Sequence, residues 1–230
     1  MRLDARAWLA FALVGAAVAI ASQMHGVWAL HAAAKPATTI AILGWARTRQ
    51  GDSAARRRWI ETGLALSLVG DVALMWPQGF VPGLVAFLFA HLAYIVAFSR
   101  GVGFARHKLP FVAYAAVAAS VLMLLWPHIG AALRPPVVAY VVCLACMAAQ
   151  ALAWWLHECP KPLSPLAACA GRAATGGALF MVSDAELATT KFMQPLPAAP
   201  LIILSTYWMA QMLIASSLSP SSTRDGNRSG

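Results

Sequence analysis

Eight long apolar runs divide this chain, separated by short polar or basic segments. They cover about residues 7–25, 31–46, 58–76, 80–98, 109–126, 135–156, 172–190 and 197–217. A helix needs about 20 mostly apolar residues to cross a ~30 Å hydrocarbon layer. The runs are continuous rather than alternating, and too long for barrel strands. The expected fold is therefore all-α: a polytopic membrane protein with eight transmembrane helices over residues 1–218. Residues 219–230 are polar and are expected to form a disordered cytoplasmic tail. Of the 230 residues, only 11% are charged, whereas a soluble domain is nearer a quarter charged.

The net charge of +9 raises the question of nucleic acid, but its distribution answers otherwise. Arg2 and Arg6, Arg47 to Arg58, Arg100 to Lys108, Lys161 and Arg172, and Arg224 and Arg228 occupy the N-terminus, the even-numbered loops and the tail. Only Lys35, Arg134 and Lys191 fall at the opposite ends. That is the positive-inside pattern, and it places both termini in the cytoplasm of a cell (inner) membrane protein. Met1–Arg6, the first apolar run and Ala19-Ile20-Ala21 also fit a cleaved signal peptide. Cleavage would leave seven helices and break the charge alternation, so the run is kept as helix 1.

Two aspartates stand deep inside apolar segments, Asp71 in helix 3 and Asp184 in helix 7. A carboxylate at bilayer depth costs on the order of 3 kcal/mol or more and persists mainly where it works or is paired. Their surroundings match: Leu66-x-x-Val69-Gly70-Asp71-x-x-Leu74 against Leu179-x-x-Val182-Ser183-Asp184-x-x-Leu187, 113 residues apart. The same offset carries Tyr94 onto Tyr207. Two parallel four-helix repeats, meeting near the midplane, would produce this echo. Helical spacing puts Phe87, His91, Tyr94 and Phe98 on one stripe, and Gly63, Ser67 and Asp71 on another. Gly177, Phe180, Asp184, Leu187 and Lys191 share a face of helix 7, and Tyr207 and Gln211 a face of helix 8. Glu186 is expected to point away from Asp184, toward the outer interface.

Other polar residues read more plainly. Lys35-Pro36 is expected to open helix 2, where proline is tolerated; Lys35 is then an interfacial lysine or a partner for a carboxylate or lipid phosphate. Cys143-x-x-Cys146 lacks the further ligands of a tetrahedral metal site and reads as packing. His25, His31 and His128 read as interfacial polar residues.

Lys35-Pro36, Gly70-Asp71, His91-x-x-Tyr94, Ser183-Asp184 with Lys191-Phe192, and Tyr207-x-x-Ala-Gln211 together resemble the YhhN-like lysoplasmalogenase family of integral membrane proteins, over about residues 30 to 217. The resemblance implies eight helices and hydrolysis of the vinyl-ether bond of lysoplasmalogens to a fatty aldehyde and a glycerophospho-alcohol. It implies Asp71 and Asp184 as the catalytic pair. Lys35, His91, Tyr94, Lys191, Tyr207 and Gln211 are then expected to bind substrate or tune the pair. The expected partners are a lysophospholipid substrate and membrane lipid, not nucleic acid, with no cofactor and no metal; the sequence leaves the oligomeric state open. The chain departs from the family pattern at Thr190, where asparagine is common, and at Glu186, an expected apolar position.

Two carboxyls suit this chemistry. Protonation of the vinyl ether's β carbon gives an oxocarbenium-like cation, which needs a positioned acid. An ionised partner stabilises the cation and takes a proton from water, the division of labour used in glycoside hydrolysis. The sequence bet is Asp184 as acid and Asp71 as base, with Lys35 and Lys191 on the lysolipid phosphate. The main alternative is a proton-coupled transporter or lipid carrier using the same carboxylates. An intramembrane aspartyl protease is disfavoured, because neither Leu68-Val69-Gly70-Asp71 nor Ser183-Asp184 fits its Gly-x-Gly-Asp and Tyr-Asp patterns.

Overall fold

The computed structural model describes residues 3–49, 52–161, 164 and 166–219. Each apolar run becomes one helix: α1 Ala5–Met24, α2 Trp28–Arg47, α3 Ala54–Ala73, α4 Phe80–Phe98, α5 Lys108–Leu125, α6 Arg134–Glu158, α7 Ala167–Phe192 and α8 Ala199–Ser216. Apart from Ser219, the expected tail lies outside the described residues. Two helix starts, those of α1 and α3, carry side-chain caps: Asp4 accepts from the Ala7 amide at 2.7 Å, and Ser53 from the Arg56 amide at 3.1 Å.

One expected start is corrected. Helix α2 begins at Trp28, so Pro36 lies inside it rather than at its opening. Residues 28–34 are themselves good helix formers in an apolar setting. Proline lacks only its own N–H, which frees one carbonyl a turn earlier without ending the helix. The consequence is positional: Lys35 sits two turns into α2 and reaches the interior of the bundle.

Six helices close a ring in the order α2, α3, α4, α6, α7, α8, with α8 returning to α2. Helix α1 packs outside the ring on α2 and α8, and α5 packs outside it on α6, with a lesser contact to α7. Small residues allow the close approaches. A Cβ on Gly63 would fall 2.2 Å from the Tyr94 ring, and one on Gly177 would fall 3.0 Å from the Ala148 backbone. Such approach is the main source of helix association in lipid, where apolar burial gives little.

Among the described residues, five of the eight helices (α1, α4, α5, α6 and α8, three of them counted with a flanking turn) are long and apolar enough to cross a membrane. The other three, α2, α3 and α7, carry Lys35, Thr39, Asp71, Asp184 and Lys191. Their lower apolar content comes partly from these residues and partly from charges at the helix ends, Arg47 in α2, Arg56, Arg57, Arg58 and Glu61 in α3, and Arg172 in α7.

The even-numbered connections gather at one end of the bundle. Arg49, in the loop after α2, donates to the Leu218 carbonyl at 2.8 Å, and Arg172, which falls in the second turn of α7 rather than in the preceding loop as expected, donates to that of Ser216 at 2.7 Å; both tie this end of the bundle to the end of α8. Arg56 is buried, donates to the Ala97 carbonyl at 3.1 Å, to Asp52 and to the Arg100 carbonyl, and lies 4.2 Å over the Trp154 ring.

Candidate active site

Asp71 and Asp184 each stand 17 residues beyond the first residue of their helices, Ala54 and Ala167. At 1.5 Å per residue both are about 25 Å along their axes. Both line a single cavity of about 570 Å³, whose other walls are largely Leu, Val, Met and Phe. A concave, mostly apolar space with a few converging polar groups is the form small-molecule sites usually take.

The two carboxyls have unlike surroundings. Asp71 is 1% exposed. Its Oδ2 accepts from the Thr39 hydroxyl at 2.6 Å and the Tyr207 hydroxyl at 2.8 Å, and its Oδ1 lies 3.6 Å from Lys35 Nζ. Asp184 is half-buried and has one side-chain partner among the described residues, the hydroxyl of Tyr140, which donates to it.

Behind Asp71 the donors continue in one direction. Gln211 Nε2 donates to the Tyr207 oxygen at 3.2 Å, and the Tyr94 hydroxyl donates to Gln211 Oε1 at 2.7 Å. Trp208 Nε1 donates to Thr39 Oγ1 at 3.4 Å. Chains of this kind polarise one another in a dry interior, so each bond strengthens the next. Here they all end on the Asp71 carboxylate.

Five of the eight residues expected at the site line the cavity: Asp71, Asp184, Lys35, Lys191 and Tyr207. Lys191 is exposed at the end of α7, 4.9 Å over the Phe80 ring. His91, Tyr94 and Gln211 are fully buried behind the lining. The His91 ring meets Phe180 edge-on at 4.7 Å and lies 5.4 Å from Tyr140, and neither ring nitrogen has a hydrogen-bond partner among the described residues. Glu186 is buried, at 8% exposure, and is not among the residues that line the cavity.

Sequence reasoning missed Thr39 and Tyr140. Both had a signal, being hydroxyl side chains within long apolar helices, where polar groups turn inward toward a partner.

The model of the YhhN family matches residues 30–218. The chain belongs to the YhhN family. Human lysoplasmalogenase TMEM86B is 36% identical over 156 residues, which is 67% of this chain and 61% of that protein. Its pig counterpart is 35% identical, over 70% of this chain and 64% of its own length. A Mycobacterium tuberculosis lysoplasmalogenase is 32% identical over 194 residues, 80% of this chain and 70% of that protein. The chain thus spans less than two thirds of the human and pig relatives. No solved structure matches it. The matched region of this YhhN chain takes in both aspartates and every residue described above on α2, α3, α4, α6, α7 and α8.

Proposed function

We propose that this YhhN protein is a membrane hydrolase that cleaves the vinyl-ether bond of lysoplasmalogen-type lysophospholipids, releasing a fatty aldehyde and a glycerophospho-alcohol. The observation that carries the reading is the convergence of Asp71 and Asp184 on one cavity with opposite partner sets. Relatives named lysoplasmalogenase supply the reaction class.

In this reading Asp184 gives its proton to the β carbon of the vinyl ether. Its single hydroxyl partner, Tyr140, fixes the carboxyl without surrounding it by charge. Asp71, held by two hydroxyls and Lys35, serves as the carboxylate. It stabilises the oxocarbenium-like cation and accepts a proton from the attacking water. The hemiacetal then collapses to aldehyde and alcohol, and the proton left on Asp71 returns to Asp184 through water in the cavity.

Lys35 and Lys191 take different parts. Lys35 is only 12% exposed and faces Asp71, which suits a counter-ion. Lys191 lies two turns beyond Asp184, about 10 Å along the helix, at the cavity's edge. That spacing suits a phosphate whose glycerol carries the ether toward the carboxyls. Tyr94, Gln211 and His91 act from behind the lining, on Tyr207 and Tyr140.

The same proposal includes eight membrane spans, with both termini on the cytoplasmic face of the cell membrane. Arginines at the end of the bundle holding the even-numbered connections support that orientation. The ring order supports two four-helix repeats, since advancing every label by four reproduces it. Helices α3 and α7 run unbroken through both aspartates, which weighs against a carrier built on discontinuous helices.

Purified protein incubated with 1-alkenyl and 1-acyl lysophospholipids, with aldehyde and fatty acid assayed separately, tests the reading. Aldehyde release that disappears in both Asp71→Asn and Asp184→Asn, in protein that remains folded, is expected. Full activity in either variant would sink the acid–base pair, and fatty acid as the sole product would sink the bond assignment.

A further inference from the structure

Helix α5 leans on α6 but meets α7 only in part. Toward the non-cytoplasmic end the two are joined, because Leu125 and Leu122 of α5 share an apolar cluster with Ala188 and Phe192 of α7. Nearer the middle they part. Val117 on α5 and Val182 on α7 both line the carboxyl cavity and are 54% and 50% exposed. Lining residues left this accessible mark an opening rather than a closed wall. This one lies in the side of the bundle, where lipid is the surrounding medium.

The lining is polarised along the same line. The charged and aromatic rim groups Lys191 and Trp76 lie at the end of α7 and just after α3. Between α5 and α7 the walls are Val117, Val121, Leu144 and Met181, without a charge. An amphiphile with one hydrocarbon tail matches this pattern: its charged head fits the rim, its tail the apolar slot, and its first ether carbons the carboxyls between.

We infer that the gap between α5 and α7 is a lateral portal and chain-binding slot for a single hydrocarbon tail, which passes directly from the bilayer to Asp184. The inference rests on the proposed hydrolase reading for the identity of the amphiphile, but not for the location of the tail. The slot is continuous with the carboxyl cavity and with the outside of the bundle at Val117 and Val182. A substrate in the membrane therefore need not leave the hydrocarbon layer to reach the acid.

The test uses a 1-O-alkyl lysophospholipid, which lacks the cleavable double bond, carrying a photoactivatable diazirine at the tail terminus. Full-length protein in lipid nanodiscs is irradiated with it, and labelled peptides are mapped by mass spectrometry. Labels on α5 and α7 around Val117 and Val182 are expected. Val182→Trp, and separately Val117→Trp, would reduce them severalfold, and would raise KM more for long-tailed than for short-tailed alkenyl substrates. Both side chains are already about half exposed, so tryptophan there adds bulk outside the buried core, and thermal unfolding of each variant checks this. Labels confined to other helices, or undiminished in both variants, would overturn the portal even if aldehyde is released. Labels in the slot from a wild-type protein that releases no aldehyde would overturn the hydrolase reading and leave the portal standing.

Discussion

Replacing Lys35 with methionine isolates the electrostatics of the site. Methionine keeps most of the side-chain length and removes only the charge. Lys35 Nζ lies 3.6 Å from Asp71 Oδ1, and Asp71 is 1% exposed. At an effective dielectric of about 20, two unit charges at that distance attract by about 5 kcal/mol. Loss of one partner from a buried pair costs about 3–5 kcal/mol, because the survivor is left uncompensated. The hydroxyls of Thr39 and Tyr207 still hold Oδ2, so the lower end of that range is expected. A chain of this size shifts its melting temperature by about 2–4 °C per kcal/mol, which predicts a fall of roughly 6–12 °C. Intrinsic tryptophan fluorescence during thermal unfolding reads it directly, since the chain has 9 tryptophans. The double variant Lys35→Met with Asp71→Asn removes both charges and should recover most of the lost stability, a non-additivity that additive surface effects do not produce. If Lys35→Met melts no lower than Lys108→Met, whose lysine is exposed and forms no ion pair among the described residues, or if the double variant melts lower still, then Lys35 is not the counter-ion of Asp71.

Further outcomes follow from the same geometry. Tyr140→Phe removes the hydroxyl that holds Asp184; a hydrogen bond to a charged or reacting group is worth about 1.5–3 kcal/mol, so kcat for aldehyde release should fall roughly tenfold to a hundredfold with KM little changed. Gln211→Met leaves Tyr207 free to turn from Asp71 and orphans the Tyr94 hydroxyl, so a smaller fall in kcat and a loss of about 1–2 kcal/mol in stability are expected. Gly63→Ala forces a Cβ into the Tyr94 ring; overpacking of this kind costs about 1–3 kcal/mol, and an unchanged melting temperature would contradict the tight α3–α4 contact. Arg56→Met, far from the cavity, should lower the melting temperature while leaving KM intact in whatever protein remains folded.

The apolar runs by themselves marked out the eight helices found among the described residues. Helix length follows from hydrocarbon thickness, so α4 falls on the expected residues 80–98 without adjustment. That Asp71 and Asp184 would turn to the interior was equally legible, because an isolated carboxylate is tolerated in lipid only inside a bundle; that Asp71 is fully buried and Asp184 only half-buried was not. Helical spacing also grouped Tyr207 with Gln211, since neighbours on one face are set by the 3.6-residue period alone. Partners across helices were another matter. Whether Lys35 met a lipid phosphate or Asp71 depended on where α2 began, and Pro36 gave a misleading start. Thr39 and Tyr140 became site residues only once α2 and α6 took their places beside α3 and α7. His91, Tyr94 and Gln211 moved behind the lining because the ring order turns those faces toward neighbouring helices. Periodicity is a property of one helix, and the sequence carries it openly. The choice of which faces meet depends on close fits such as Gly63 against Tyr94, and only the assembled bundle decides it.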